Sequence, residues 1–160
     1  MNVVQAITLA VALLGAVLGV LNSWHAISRD QVKLRVVPRM AFGVGPGVDP
    51  RSRLCIEVVN LSGFAVTVDQ VGFAIRGSEV VLAPLVPILL DGGPFPRRLE
   101  SRTAFTVFFE PGTEKEPGFG HVRCAVARTE CGTTVEGSSP MLRSVVAAAP
   151  RGPKPSGPFS

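Results

Sequence analysis

Chemistry in a chain of this size would rest on histidine, cysteine and carboxylate side chains at workable spacings. Two histidines are present, His25 and His121, far apart in sequence. His25 ends an apolar segment, where an imidazole caps or solvates a helix end. His121 opens a strand after a loop, a surface position. Of the three cysteines, Cys55, Cys124 and Cys131, no pair has the close spacing of a disulfide framework, and their number is odd. Cys124 and Cys131 match no zinc pattern, and no histidine lies near enough to complete a site. A Cys124–Cys131 disulfide is the alternative if the domain lies outside the cell. Cys55 reads as a small sheet residue with no base to make it a nucleophile. Glu114 and Glu116 flank Lys115 in a polar loop, where solvation explains them. Gly-Val-Gly-Pro-Gly at 43–47 lacks the lysine and following helix of a phosphate loop. There is no Gly-x-Ser-x-Gly, and tyrosine is absent. No set of acid, base and nucleophile can be assembled, so the expectation is a protein that is not an enzyme and uses no cofactor or metal.

The charge total is +4. It is spread thinly: Val32 to Val146 carries thirteen Lys/Arg against eleven Asp/Glu, and no basic stripe is interleaved with aromatics. Nucleic-acid binding is therefore not expected. Arginine outnumbers lysine and Ala, Gly, Pro and Val abound, a composition that fits GC-rich bacterial coding. Free thiols favour a reducing compartment.

The chain opens on an apolar run. Val3 to Leu21 is 19 residues in which Gln5 and Thr8 alone are polar. As a helix it measures about 28 Å, close to the ~30 Å hydrocarbon thickness of a bilayer. Trp24 follows where an interfacial aromatic anchors a span. A secretory signal peptide is the main rival, but its start would carry Lys or Arg and a small-x-small cleavage site would follow. A buried helix of a soluble protein is the other. Residues 1–28 are read as a transmembrane helix with its interfacial flank. Arg29, Lys33, Arg35 and Arg39 come after it, so the positive-inside rule puts the following domain in the cytoplasm, on a bacterial inner membrane crossed once.

Small residues recur along this helix at Thr8, Ala12, Gly15, Gly19, Ser23 and Ala26, at spacings of four and three. Such a line forms a groove on one face and lets two helices approach closely. A homodimer through Thr8, Ala12, Gly15, Gly19 and Ser23 is the expectation, although Gly and Ala are common in membrane helices for other reasons.

Beyond the helix the period changes to two. "QVKLRVV" alternates Val32, Leu34 and Val36 with Lys33 and Arg35. "RLCIEVVN" sets Leu54, Ile56 and Val58 against Cys55 and Glu57. Asn60 to Gly63 is a turn, and Phe64 to Arg76 is one bent strand or two short ones. In Val80 to Leu90, Pro84 and Pro87 break any regular ladder. An edge strand crossing between sheets is one reading of it; a loop that touches a membrane or partner is the other. Thr103 to Glu110 is a strand with Phe105, Val107 and Phe109 on one face and Phe108 on the other. His121 to Glu136 is a hairpin. Ser138 to Val146 is a last strand or a short helix starting near Ser139. Seven or so short strands without an amphipathic helix imply an antiparallel β-sandwich over residues 29–146. Residues 147–160 are a Pro/Gly-rich tail expected to be disordered.

"IEVVNLSGFAVTVDQVGF", followed later by "RRLESRTAFTVFF", resembles the immunoglobulin-like sandwiches of bacterial proteins: a strand ending in Asn, a short turn, a second strand, then a Leu-Glu-x-x turn before another strand. The fold class implied is mainly β, a transmembrane helix followed by an antiparallel immunoglobulin-like β-sandwich. The Cys–Trp–Cys core of antibody domains is absent. The whole layout also resembles small bacterial or prophage single-pass membrane proteins, a resemblance that implies no activity. The expected function is a membrane-anchored interaction module with an unidentified protein partner. The alternative is a prophage or defence-type membrane effector acting through its helix, with the sandwich as sensor. If the small-residue face pairs two helices, Gly15→Leu and Gly19→Leu will each weaken the signal of a membrane two-hybrid assay; an unchanged signal removes this face from any dimer.

Overall fold

The computed structural model describes residues 2–29, 31–42, 52–84, 88–89 and 93–153, with only the backbone for Ala6 and residues 26–29. The loop expected at Gly43–Ser52 lies outside these residues except for Ser52, as do residues 154–160 of the tail. The chain forms two compact units, Met1–Val32 and Lys33–Ser160.

The first unit is one helix, α1 (Val3–Arg29). It is rich in Leu, Ala and Val and contains no proline. Its described side chains are all exposed. The hydroxyl of Thr8 donates back to the Val4 carbonyl at 2.9 Å, so this polar group is satisfied within the helix. Val3–His25 is long and apolar enough to cross a membrane: its 23 residues span about 35 Å as a helix.

Among the described residues the second unit has nine strands: β1 (Leu34–Phe42), β2 (Ser52–Asn60), β3 (Val66–Ile75), β4 (Val81–Leu82), β5 (Ile88–Leu89), β6 (Arg97–Leu99), β7 (Ala104–Phe108), β8 (Val122–Thr129) and β9 (Thr134–Gly137). They form two antiparallel sheets. One runs β1-β2-β7-β5, the other β4-β3-β8-β9, with β6 also paired to β3. Three of them, β4, β5 and β6, are pieces of two or three residues, too short to show a period of two.

The alternation read from the sequence sets which faces are buried. Leu34 and Val36 of β1, Leu54, Ile56 and Val58 of β2, and Phe105 and Val107 of β7 are buried. Phe73 of β3 meets Phe109 across the two sheets at 4.8 Å between ring centroids, and meets Phe119 edge-on at 5.3 Å. The segment Phe64 to Arg76 is one strand that bends: the β3–β8 register shifts between Val68 and Gln70. That bulge puts Val66 and Val68 on one side of Asp69 in phase with Val71, Phe73 and Ile75 on the other. The Val80–Leu90 stretch crosses between sheets. Val81 and Leu82 pair with Ala74 and Phe73, while Ile88 and Leu89 pair with Phe108 and Val107.

Two glycines permit close approach of backbones. A Cβ on Gly137 would sit 1.8 Å from the Val36 carbonyl oxygen, where β9 meets β1; one on Gly72 would sit 2.5 Å from that of Leu82.

The segment after Ser139, expected to be a strand or a short helix, is a helix, α2 (Pro140–Ala148). Its start signals are local. Ser139 caps it by accepting from the Leu142 amide at 3.1 Å, and Pro140 occupies the first turn. A nine-residue helix is marginal alone. Burial of Leu142 and a hydrogen bond from the Ser139 hydroxyl to the Pro38 carbonyl, 2.9 Å, hold it on β1. It takes in Ala147 and Ala148, which composition had assigned to the tail.

At the end of the sheets where β2 stops, Asn60 is fully buried. Its amide nitrogen donates to the carbonyls of Phe64, Leu99 and Glu100 at 2.7, 3.0 and 3.2 Å, and its oxygen accepts from the Ser62 amide at 2.9 Å. Its backbone carbonyl accepts from Arg102, a residue with φ of +61°. Ser62 extends the network: its hydroxyl accepts from the Lys33 amide and its carbonyl accepts from the Ser101 hydroxyl. Asn60→Ala would leave several of these groups buried and unpaired, and is expected to lower stability by about 3 kcal/mol or more. Urea denaturation of the full chain in detergent, followed by far-ultraviolet circular dichroism, checks this; a loss under about 1 kcal/mol would mean water replaces the amide.

Candidate functional site

The sheets leave a cleft at the end opposite Asn60. Its volume is about 580 Å³. Phe73, Phe109 and Phe119 form its floor, Leu82, Ala83 and Pro84 one wall, and Glu110, Thr113, Glu116 and Pro117 the other. The aromatic floor is sealed, since the three rings are between 0% and 3% exposed.

The acidic wall is built from a short repeat. Glu-Pro-Gly occurs at 110–112 and again at 116–118. In each copy the glycine takes a left-handed φ, +94° at Gly112 and +99° at Gly118, and a 3-10 turn follows, Thr113–Lys115 and Phe119–His121. Proline presets the turn and glycine supplies the positive φ. Both repeats place their glutamate on the same cleft. Glu110 and Glu116 make no ion pair among the described residues. One Glu114 carboxylate oxygen, beside them in sequence, is buried without a hydrogen-bond partner. A sealed apolar floor under carboxylates suits an apolar group that carries a cation. Glu116 is exposed, as expected in a polar loop, whereas Glu114 is only partly so; the duplicated Glu-Pro-Gly is the signal in the sequence that marks this wall.

The histidines take separate places. His25 is an exposed residue of α1. His121 ends the second 3-10 turn, and its Nε2 lies 2.9 Å from the Gly152 carbonyl. A carbonyl only accepts, so Nε2 is the protonated nitrogen and donates. Among the described residues no group of three His, Cys, Asp or Glu side chains could hold a metal.

All three cysteines are free. Cys55 is buried on the outer face of its sheet, beneath the Arg39–Glu57 ion pair at 2.8 Å. Burial pushes its thiol up, with Arg39 opposing and Glu57 adding. Cys124 is buried on the outer face of the other sheet with Ala74, Val126 and Val81, near the Arg123–Glu136 pair. Burial raises it too, and the Glu136 carboxylate adds to the shift. Cys131 sits exposed in the β8–β9 turn. Hydrogen bonds from Thr129 and Thr133 hold its thiol below the ordinary cysteine range. The Thr129 hydroxyl has one proton to give, to the Thr133 carbonyl at 3.0 Å or to the Cys131 sulfur at 3.1 Å; ionisation of the thiol draws it to sulfur. A Cys124–Cys131 bridge does not fit, because five residues of extended β8 between Cys124 and Thr129 span about 16 Å, against a limit of about 7 Å between bridged Cα atoms.

The helix residues Thr8, Ala12, Gly15, Gly19 and Ser23 are exposed, and nothing lies within 4 Å of where a Cβ on Gly15 or Gly19 would be. The face is open to a second helix.

In the folded chain a maleimide at neutral pH is expected to modify Cys131 alone, with Cys55 and Cys124 reacting only after unfolding. Peptide mapping after a short pulse reads this out, and native labelling of Cys55 would contradict its burial. The apparent pKa for Cys131 labelling should rise in Thr129→Val, which removes the stabilising hydroxyl. No protein-family model matches the chain, and no curated protein or solved structure matches it.

Proposed function

We propose that this is a single-pass protein of a bacterial inner membrane, in which α1 anchors an immunoglobulin-like β-sandwich that serves as a non-catalytic interaction module in the cytoplasm. The observation that carries the reading is the contrast between the two units. The Lys33–Ser160 unit buries apolar residues of its own, whereas α1 exposes its Val, Leu and Ile side chains from Val3 to Leu21, each more than half accessible. An apolar surface of that extent needs a solvent other than water.

The strand orders support the sandwich type. In immunoglobulin-like domains the first, second, fifth and fourth strands form one sheet, and the third, sixth and seventh the other, with an added strand beside the third. The orders β1-β2-β7-β5 and β4-β3-β8-β9 follow that scheme if β4 is the added strand and β6 a short extra piece. Basic residues Arg29, Lys33, Arg35 and Arg39 after the span favour the cytoplasmic side. The cleft with Glu110 and Glu116 is the surface assigned to the partner, which would present a basic side chain on an apolar stem.

Fusions after Ser160 test the orientation. Green fluorescent protein is expected to fluoresce and alkaline phosphatase to stay inactive in a bacterial host. The reverse result would place the sandwich across the membrane and overturn the cytoplasmic assignment.

A further inference from the structure

After α2 the chain runs to the rim of the cleft. Ala149, Pro150 and Arg151 lie against Gly120, where an added Cβ would sit 2.9 Å from the Arg151 Cγ and 3.0 Å from the Pro150 carbonyl oxygen. Gly152 lies against Pro117, and a Cβ on it would sit 2.8 Å from the Pro117 Cβ. The chain therefore travels backwards along the second Glu-Pro-Gly turn, from Gly120 towards Pro117. His121 fixes this course by donating to the Gly152 carbonyl at 2.9 Å. Pro117 belongs to the cleft wall, and the same line continues to Glu116, its neighbour on that wall.

The residues that come next have the chemistry that the cleft suits. Lys-Pro-Ser-Gly-Pro-Phe-Ser at 154–160 lies outside the described residues and contains a cation, an aromatic ring and no acid. The cleft offers the complement, the Glu110 and Glu116 carboxylates beside the apolar Leu82, Ala83 and Pro84. Glu114 and Lys115, on the turn between the two glutamates, cancel in charge. The cleft volume, about 580 Å³, is that of a site able to enclose an aromatic side chain and a short stretch of backbone. Phe159 lies six residues beyond Pro153, a reach of at most about 21 Å. Pro155 and Pro158 restrict φ, so this segment has less chain freedom to lose on docking than one without proline.

We propose that segment 154–160 occupies the cleft of its own chain, with the Lys154 ammonium facing Glu116 and Glu110 and the Phe159 ring against Leu82, Ala83 and Pro84. A tether this short holds the segment at an effective concentration in the millimolar range, so individually weak contacts suffice. A partner that uses the cleft has to displace it. That displacement rests on the partner assignment made above; the docking itself does not.

Trp24 is the single tryptophan, so a full chain carrying Trp24→Phe and Phe159→Trp reports on the segment alone. In detergent its emission is expected at shorter wavelength than in urea, at every protein concentration. Glu110→Gln with Glu116→Gln, or Lys154→Gln, is expected to return it towards the urea value, and far-ultraviolet circular dichroism confirms that each variant keeps the β fold. Emission at the urea value in the parent reporter would overturn the docking. So would a short-wavelength emission that ignores the glutamates, because the ring would then lie in the micelle. A shift that appears only at high concentration would overturn it too, by assigning the cleft to the segment of a second copy. A second arm separates these failures from failure of the cleft itself. A peptide of residues 149–160 carrying Phe159→Trp is added at millimolar concentration to full chain with Trp24→Phe, Lys154→Ser and Phe159→Ser. A shift of the peptide without one in the reporter chain would keep the cleft as a site for a cation on an apolar stem and reject its occupation by its own segment. No shift in either arm would reject both.

Discussion

One buried amide holds an end of the β unit together. Asn60 ends β2, and beyond it the chain must turn while two other segments turn beside it. Each turn leaves carbonyls pointing inward with no strand to receive them. The Asn60 side chain donates to three of these carbonyls and accepts one amide, and its main chain bonds Thr103 and Arg102. A small hydrophobe would fill the volume and orphan the carbonyls; an aspartate would offer no donor. The same network stabilises the left-handed backbone of Arg102, a conformation that side chains other than glycine rarely adopt. Through Ser62 it also fixes Lys33, where the unit begins.

The opposite end is organised differently. Its contacts are mostly aromatic packing and turn geometry, with Phe73 between Phe109 and Phe119. Two Glu-Pro-Gly turns shape the wall, and α2 with the following residues closes over the side through Ser139–Pro38 and His121–Gly152. A hydrogen-bonded end tolerates little displacement, because each bond is directional. A packed end with 3-10 turns can admit an occupant by shifting side chains.

Between them, the sheets rely on details that a simple alternation does not predict. The bulge at Asp69 keeps both halves of β3 facing the core, and β9 can lie against β1 only because Gly137 lacks a side chain. Both outer faces carry a buried cysteine near an arginine–glutamate pair, whereas Cys131, in the turn, is exposed.

The helix, the inward residues of β1, β2 and β7, the hairpin whose turn holds Cys131 and the turn at Asn60 were legible in the sequence. Each depends on periodicity or turn chemistry within about a dozen residues, and local sterics express that directly. The strand ending in Asn and the later Leu-Glu turn, also visible in the sequence, are joined in the fold: Asn60 donates to the carbonyls of Leu99 and Glu100. The pattern marked both segments, but their contact spans 39 and 40 positions and only the folded chain makes it. The division of Val80–Leu90 between two sheets, the helical state of α2 and the meeting of Glu110 with Glu116 over an aromatic floor were likewise decided by tertiary structure. Two-residue strands carry no period, a nine-residue helix is not stable by itself, and a cleft exists only where distant segments close around it.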